Sequence, residues 1–495
     1  KKIIFDSFGD ISYEQFYFEC VKFSHVLKKI GAKKNDRIGI CMNKSIDQAV
    51  AIVGCIFAEC IFVPILPKLN FSGISHIIKD CKMSYLITDS YRYNEVRNFF
   101  RNVKIYSCNS VISINGKKRD SLNNLRKKEF STKYSKKIND NNPGAIIYSS
   151  GSTGRPKGIV IPYKNFLLGA KIVSEYLGTK KNDRILGVLS LNFDYGLNQL
   201  WQCILLGCSI YFHELVFQKD AFDFIKKYKT NVLPLMPVMI SIIFNKPHNI
   251  KIKNVKYICT SGGPVTINMI KNLNSTFLKS KTYLMYGLTE AFRSTFLNPK
   301  KILKKFNSIG QAIPKVKIHV LDKDNKDCKA NVPGELVHRG GCISLGYWKD
   351  KKNTKRVFKK IKRFGNETVV FSGDLVKKDK DGDIYFISRK DQMIKTSGYR
   401  VSPTEIEEEI VTMKNVKNAV AFGSKDEKLG QVIHLIYTTF NSKKISYNQL
   451  YNFGRKRLPS YMIPKKFFFE KKFPTTGNQG KIDRKRLIYK FLKND

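Results

Sequence analysis

Hydrophobic and polar positions in the first 140 residues alternate between two periods. Ser12 to Ile30 carries apolar residues at helical spacing, and Asp36 to Cys41 (DRIGIC) is an apolar run of strand length. Asp47 to Cys60 again reads as a helix, followed by Ile61-Phe62-Val63-Pro64-Ile65 as a strand. Ile74 to Cys81 and Tyr85-Leu86-Ile87-Thr88 repeat the pair. Helices alternating with short apolar strands predict an α/β sheet with parallel strands. Polar, charged Arg126 to Asn142 predicts an exposed loop. The alternation resumes with strands at Asn231 to Leu235, Val255 to Ser261 and Thr282 to Tyr286.

From Lys315 the pattern changes. Val316 to Leu321, Gly334 to His338 and Asp383 to Phe386 are short strands separated by turn signals, which predicts a small β subdomain. After Arg389 comes a compact α+β tail: a helix, strands at Ala419 to Phe422 and Ile433 to Thr438, a second helix, and Phe467 to Glu470. The expected architecture is therefore α/β, with a large N-terminal domain of α/β sheets plus a small β subdomain over residues 1–390. A small α+β C-terminal domain follows over 391–495, with the boundary at Arg389 to Asp391.

The chain has 495 residues, long enough for more than one domain, and 42% are apolar, which excludes wholesale disorder. Its formal charge is +49, a value that suggests a nucleic-acid partner. The distribution argues otherwise: residues 391–495 carry a net +11 and the rest +38, about +0.1 per residue in each part. A generally basic surface is the expectation, with no nucleic acid as partner. Eleven scattered cysteines without a CxxC pair predict buried free thiols in a reducing compartment and no thiolate metal site. The most apolar stretch, Ala49 to Leu66, is interrupted by Glu59 and Pro64, so it reads as a buried helix and strand rather than a membrane span. Residue 1 is Lys, so the start is cropped or processed; a cytoplasmic location without an integral membrane segment is expected.

The densest chemistry lies after the predicted strand Gly144-Ala145-Ile146-Ile147-Tyr148. There the chain runs Ser149-Ser150-Gly151-Ser152-Thr153-Gly154-Arg155-Pro156-Lys157-Gly158. Glycines let backbone amides turn around an anion, hydroxyls donate, and Lys157 adds charge, as a polyphosphate requires. It is not a Walker loop, because Lys157 is followed by Gly158 and not by Ser or Thr.

This loop, YSSGSTGRPKG, resembles that of the AMP-forming adenylating superfamily, which includes acyl-CoA synthetases, luciferases and adenylation domains of nonribosomal peptide synthetases. Further motifs resemble the superfamily's in the same order. They are Ile11 to Phe16, Tyr286-Gly287-Leu288-Thr289-Glu290, Ser372-Gly373-Asp374, and Arg389-Lys390-Asp391 with Lys395, Gly398, Arg400 and Glu405-Ile406-Glu407. Gly480-Lys481-Ile482-Asp483-Arg484 closes the set. Within the superfamily, Asn192 to Leu200, Met285 to Thr295 and Ile394 to Ile406 resemble acyl-CoA ligases associated with exosortase systems and surface-polysaccharide genes.

The resemblance implies two half-reactions: a carboxylate attacks the α-phosphorus of ATP and pyrophosphate leaves, then a thiol attacks the acyl adenylate and AMP leaves. It implies ATP- or AMP-binding roles for Ser149, Ser150, Gly151, Ser152, Thr153, Gly154, Lys157, Gly262, Gly263, Tyr286, Gly287, Asp374 and Arg389. Asp374 would accept from the ribose hydroxyls and Tyr286 would offer a stacking face. Catalytic roles would fall to Lys481, Thr289, Glu290 and Arg400, with Glu290 also binding Mg²⁺. Asp391 would be the hinge of a mobile tail, and Gly398 would face a thiol tunnel for coenzyme A or a carrier protein's phosphopantetheine. Pro474 to Lys481 departs from the usual PxTxNGK spacing by one residue, with Gln479 the apparent insertion.

Substrate choice is left open between a carboxylic acid and an amino acid. In amino-acid-activating relatives, an Asp in the FD motif pairs with the substrate amine, and Asp194 stands there; it could instead cap the helix from Tyr195 to Leu206. Trp201, Met236, Met239 and Phe292 could line an acyl pocket or belong to the core. Ser402-Pro403-Thr404-Glu405 reads as a capping box, so Glu405 is expected to cap and not to catalyse. No DSL-like attachment motif follows Lys481, so any carrier protein is expected to be a separate partner.

Overall fold

A computed structural model describes the chain except residues 68, 70, 90–92, 94–103, 108–111, 115–116, 120–121, 130–133, 135–137, 150–155, 245, 391, 397–398, 427–429, 477–480 and 493–495. The side chains of 71–72, 104–107, 112–114, 117–119, 122–123, 395, 399–400, 430 and 476 are also outside the description. Two compact units result: residues 1–318 with 337–371, and residues 319–336 with 372–495.

The first unit holds two sheets. One has seven strands, with Lys104–Ser107, Tyr85–Thr88, Arg37–Cys41, Ile61–Pro64 and Pro143–Ser149 running parallel. Lys157–Pro162 then returns antiparallel to Pro143–Ser149, with Lys157 opposite Ser149, and Gly346–Tyr347 completes the edge. The glycine-rich segment is thus the connection of an antiparallel pair; its residues 150–155 lie outside the described part.

The second sheet has a parallel centre of Lys281–Leu288, Tyr257–Thr260, Val232–Leu235, Arg184–Gly187, Ser209–Phe212 and Lys2–Asp6. Ala291–Leu297 and Ser308–Ala312 add antiparallel strands at one end. One hydrophobic cluster joins both sheets through helices Tyr13–Lys29, Ile46–Phe57, Tyr163–Leu177 and Asp194–Leu206. Ile11 to Phe16 is a strand end and a helix start: Ser12 and Gln15 form a reciprocal capping box.

In the second unit, Val416–Asp426, Gly430–Thr439 and Lys466–Phe469 form a three-stranded sheet. Helices Pro403–Ile410 and Tyr447–Arg457 share one apolar cluster with it, and helix Arg484–Leu492 contributes Leu487 to another. Alternating apolar residues explain both: Ala419 and Ala421 enter the first cluster, Val420 and Phe422 the second.

One expectation is corrected and one open choice is settled. Arg126 does not start an exposed loop; it lies in helix Leu122–Lys127, half-buried, and pairs with Glu19 at 2.6 Å and Asp47 at 3.1 Å. Trp201 is core: it is 5% exposed and stacks on Phe166 with ring centroids 4.9 Å apart. The ten described cysteines are free, and nine are buried. No helix among the described residues is long and apolar enough to cross a membrane.

Candidate active site

In the first unit, several motif residues meet around Tyr347. Its hydroxyl donates to Glu290 Oε1 at 2.6 Å, and Lys157 Nζ stands 5.8 Å from its ring centroid. The sheet register explains the meeting: Tyr347 pairs with Ile159, two residues from Lys157. Thr289 and Glu290 form the turn between Lys281–Leu288 and Ala291–Leu297. Ser344 fastens that turn twice, donating from its backbone to Glu290 O at 2.9 Å and from Oγ to Thr289 O at 2.8 Å. Glu290 therefore has one carboxylate oxygen engaged by Tyr347 and presents a hard oxygen donor of the kind Mg²⁺ prefers. Ser344 and Tyr347 carry no motif of their own and were missed in the sequence.

Thr289 also links this turn to Asp194, whose carboxylate it hydrogen-bonds. Of the two roles left open for Asp194, helix capping is not the one it takes: Phe193 occupies the cap position with no side-chain capping bond, and Asp194 is the first helical residue. Half-buried there, it is drawn upward in pKa by loss of solvent, opposed by Arg293, the Tyr195 N–H and Thr289.

Arg293 was not anticipated. It is 5% exposed, its guanidinium lies 4.1 Å from the Tyr195 ring centroid and 5.1 Å from that of Phe292, and Nη1 donates to Ser261 Oγ at 3.0 Å. Its Nε–H is buried without an acceptor. The backbone explains its aim. Tyr286 pairs with Thr295 and Leu288 with Ala291, so three residues, Phe292 to Ser294, oppose the single Gly287. Such a bulge redirects a side chain. Arg293 adopts φ +57°, which costs a residue other than glycine on the order of 1 kcal/mol. A Cβ on Gly287 would stand 2.9 Å from the Arg293 backbone, so Gly287 is what lets the bulge close. Gly262 follows Ser261 at φ +91°, a conformation favouring glycine.

In the second unit, strands Thr368–Lys378 and Ile384–Arg389 place Asp374 opposite Arg389. Arg389 Nη1 donates to Asp374 Oδ1 at 2.8 Å, and Asp374 is 5% exposed. Gly373 (φ +73°) makes the turn that admits the guanidinium. Lys481 belongs to the same neighbourhood. Its side chain retains exposed surface, yet loss of solvent around the amine and the Arg389 and Arg484 cations hold its pKa below the ordinary lysine value, while Asp374 opposes them.

Lys481 is held by a hairpin in which Thr476 pairs with Lys481 and Thr475 with Ile482. The extra residue, Gln479, falls in the connection 477–480, outside the described residues, while the paired strands set the register of Lys481. Arg484 anchors the base: it donates to both oxygens of Glu407, at 2.8 and 2.6 Å, and to Ala421 O at 3.0 Å. Ser402 Oγ accepts from Glu405 N at 3.3 Å, and Glu405 is exposed, as a first-turn residue should be. Ser150, Gly151, Ser152, Thr153, Gly154, Asp391 and Gly398 lie outside the described residues, as does the side chain of Arg400.

A depression of about 420 Å³ lined by Asn274, Tyr283, Asn298 and Lys300 contains none of these motif residues.

The family pattern described as AMP-binding enzyme matches residues 1–348, and that of the AMP-binding enzyme C-terminal domain matches 405–480. The chain belongs to the AMP-binding enzyme family. Its relatives in this adenylate-forming family differ in what they do. The chain is 26% identical over 491 residues to gramicidin S synthase 2 of Brevibacillus brevis, covering 96% of this chain but 10% of that protein. It is 24% identical to the 2-succinylbenzoate–CoA ligase of Bacillus licheniformis, covering 96% of this chain and 94% of the ligase. Among solved structures, o-succinylbenzoate CoA synthetase from Bacillus subtilis, in complex with its acyl-adenylate intermediate, has a TM-score of 0.86 at 20% identity over 98% of this chain and 95% of its own. ATP-bound MatB from Rhodopseudomonas palustris has a TM-score of 0.88 at 20% identity, over 100% and 96%. These likenesses establish the fold: a large α/β N-terminal domain and a small C-terminal domain.

Proposed function

We propose that this protein is an ATP-dependent, AMP-forming acid–thiol ligase, an acyl-CoA synthetase that makes an acyl adenylate and transfers the acyl group to coenzyme A. The observation that carries the reading is the linked set Lys157, Tyr347, Glu290, Thr289, Asp194 and Arg293, which runs from the lysine beside the glycine-rich connection to a half-buried carboxylate and a buried guanidinium. Lys157, with the loop 149–154, would hold the β- and γ-phosphates, Thr289 the α-phosphate, and Glu290 the Mg²⁺, whose charge eases approach of one anion to another. Gly262, Gly263, Tyr286 and Gly287 would border the adenine. Asp374, presented by Arg389, would accept from the ribose hydroxyls. Lys481 would bind the attacking carboxylate and the α-phosphate together as charge develops.

The functional division would fall at 390/391. Asp391 would act as the hinge that withdraws Lys481 after adenylation and brings Gly398 and Arg400 to the thiol tunnel. The CoA-ligase relative, of nearly the same length as this chain, supports coenzyme A as the acceptor. A second reading, loading of an amino acid or acyl group onto a separate carrier protein, is favoured by the likeness to gramicidin S synthase 2 and by the carboxylate of Asp194.

Acid-dependent pyrophosphate release from Mg-ATP, with and without coenzyme A, separates the two. Release that increases with coenzyme A while AMP accumulates is the expected result. Release that needs an acid but ignores coenzyme A would favour the carrier, and no release with fatty, aryl, dicarboxylic or amino acids would overturn the ligase.

A further inference from the structure

We propose that the acid activated here is a dianion, a dicarboxylic acid whose second carboxylate is held by Arg293. The inference rests on the ligase reading and names its substrate class. Arg293 is a buried cation close to Asp194 in that set. A guanidinium has five N–H donors on a rigid fork. Here Nη1 is taken by Ser261, and the rings of Tyr195 and Phe292 lie beside the planar group, so ligand recognition falls to its edge. On that edge the Nε–H is buried without an acceptor. A buried donor left unmade is costly, and an edge of this kind matches a carboxylate bidentately.

The neighbours fix the arrangement. Ser261 immediately precedes Gly262-Gly263, and Asp194 links through Thr289 to the turn bearing Glu290. A substrate with one carboxylate toward the phosphate donors can therefore set its other end on Arg293. The same charge opposes an amine: an ammonium drawn to Asp194 would stand beside a buried guanidinium. The bulge opposite Gly287 and the left-handed backbone at Arg293 point this side chain inward at a conformational cost that an ordinary strand residue would not incur.

The test compares α,ω-diacids of several chain lengths and aryl dicarboxylates with their monomethyl esters, in acid-dependent pyrophosphate release. The expected kcat/KM ratio, best diacid over its own ester, is about 100, because the ester leaves the guanidinium edge unpaired. In Arg293→Gln the ratio should fall toward unity, and in Arg293→Lys it should fall only partly. An ester used as well as its diacid, or a mutant that loses both equally, would overturn the proposal. Preference for an amino acid over every diacid would also overturn it.

Thermal shift with diacid or ester, without ATP, separates this proposal from the ligase reading. A larger Tm rise with a diacid than with its ester, lost in Arg293→Gln, supports the dianion site even without pyrophosphate release. Equal shifts with diacid and ester in the wild type would overturn it.

Discussion

The candidate residues of the two units hold their charges differently. In the first unit, Glu290 is clamped by Tyr347, its turn is fastened twice by Ser344, and Arg293 lies between rings on a bulge. Glu290 and Arg293 are both set by the register of the strands that flank them. In the second unit, Asp374 is equally fixed, by Arg389, but Lys481 stands on a short hairpin and keeps exposed surface, with Arg484 on Glu407 at the hairpin's base. The groups proposed to hold nucleotide are built into or beside sheets. The cation proposed to arrive and leave, Lys481, sits on a short hairpin beside an anchored arginine. A flexible four-carbon ammonium suits that task, where a fixed guanidinium suits Arg293.

The comparison can be broken first at Asp374. Asp374→Ala should lower kcat/KM for ATP about 100-fold, with far less effect on the KM for the acid, because it removes the proposed ribose acceptor and the carboxylate partner of Arg389; steady-state kinetics in both substrates checks this. Equal loss for both would remove Asp374 from nucleotide binding. Next comes the anchor. Glu407→Gln should destabilise the second unit by about 2 kcal/mol, less than a fully buried pair would lose because Arg484 is partly exposed; thermal or urea unfolding reads it. Tyr347→Phe should cost about 1 kcal/mol of catalysis, seen as a several-fold higher Mg²⁺ requirement with unchanged unfolding.

The smallest effect is in pH dependence. In the proposed role Lys481 acts as an ammonium, and its pKa is below the ordinary lysine value, so the alkaline limb of adenylate formation should lie below the usual lysine range. Arg389→Ala removes a cation that lowers this pKa and should move the limb to higher pH. Asp374→Asn removes the anion that raises it and should move the limb lower, at saturating ATP. Limbs that stay in place would show that Lys481 does not set the profile.

Much of this fold could be read from the chain, because short buried strands and helices differ in period: Tyr85–Thr88 was placed to the residue, and Arg37–Cys41 to within one. Ser402 at a helix start was equally legible, since capping is local chemistry. Asp374 and Lys481 were visible through motifs, and the structure adds their common neighbourhood. What was not legible depends on register. Tyr347 reaches Glu290 across 57 positions only because its strand pairs with that of Lys157. Arg293 read as one more base in a basic chain, and only the bulge opposite Gly287 turns it inward. Whether Asp194 caps its helix could not be decided from the chain, because only the structure shows that Phe193 takes that position and leaves the carboxylate for Thr289. Arg126 read as loop because its partners, Glu19 and Asp47, are remote in sequence.

The central claim is that the fixed half binds while the lysine on the hairpin drives only the first half-reaction. Lys481→Ala tests it directly, by single-turnover assay of adenylate formation from acid and Mg-ATP beside thioester formation from supplied acyl adenylate and coenzyme A. The account predicts about a 1,000-fold loss in the first and a loss at least tenfold smaller in the second. Equal losses in both would contradict it.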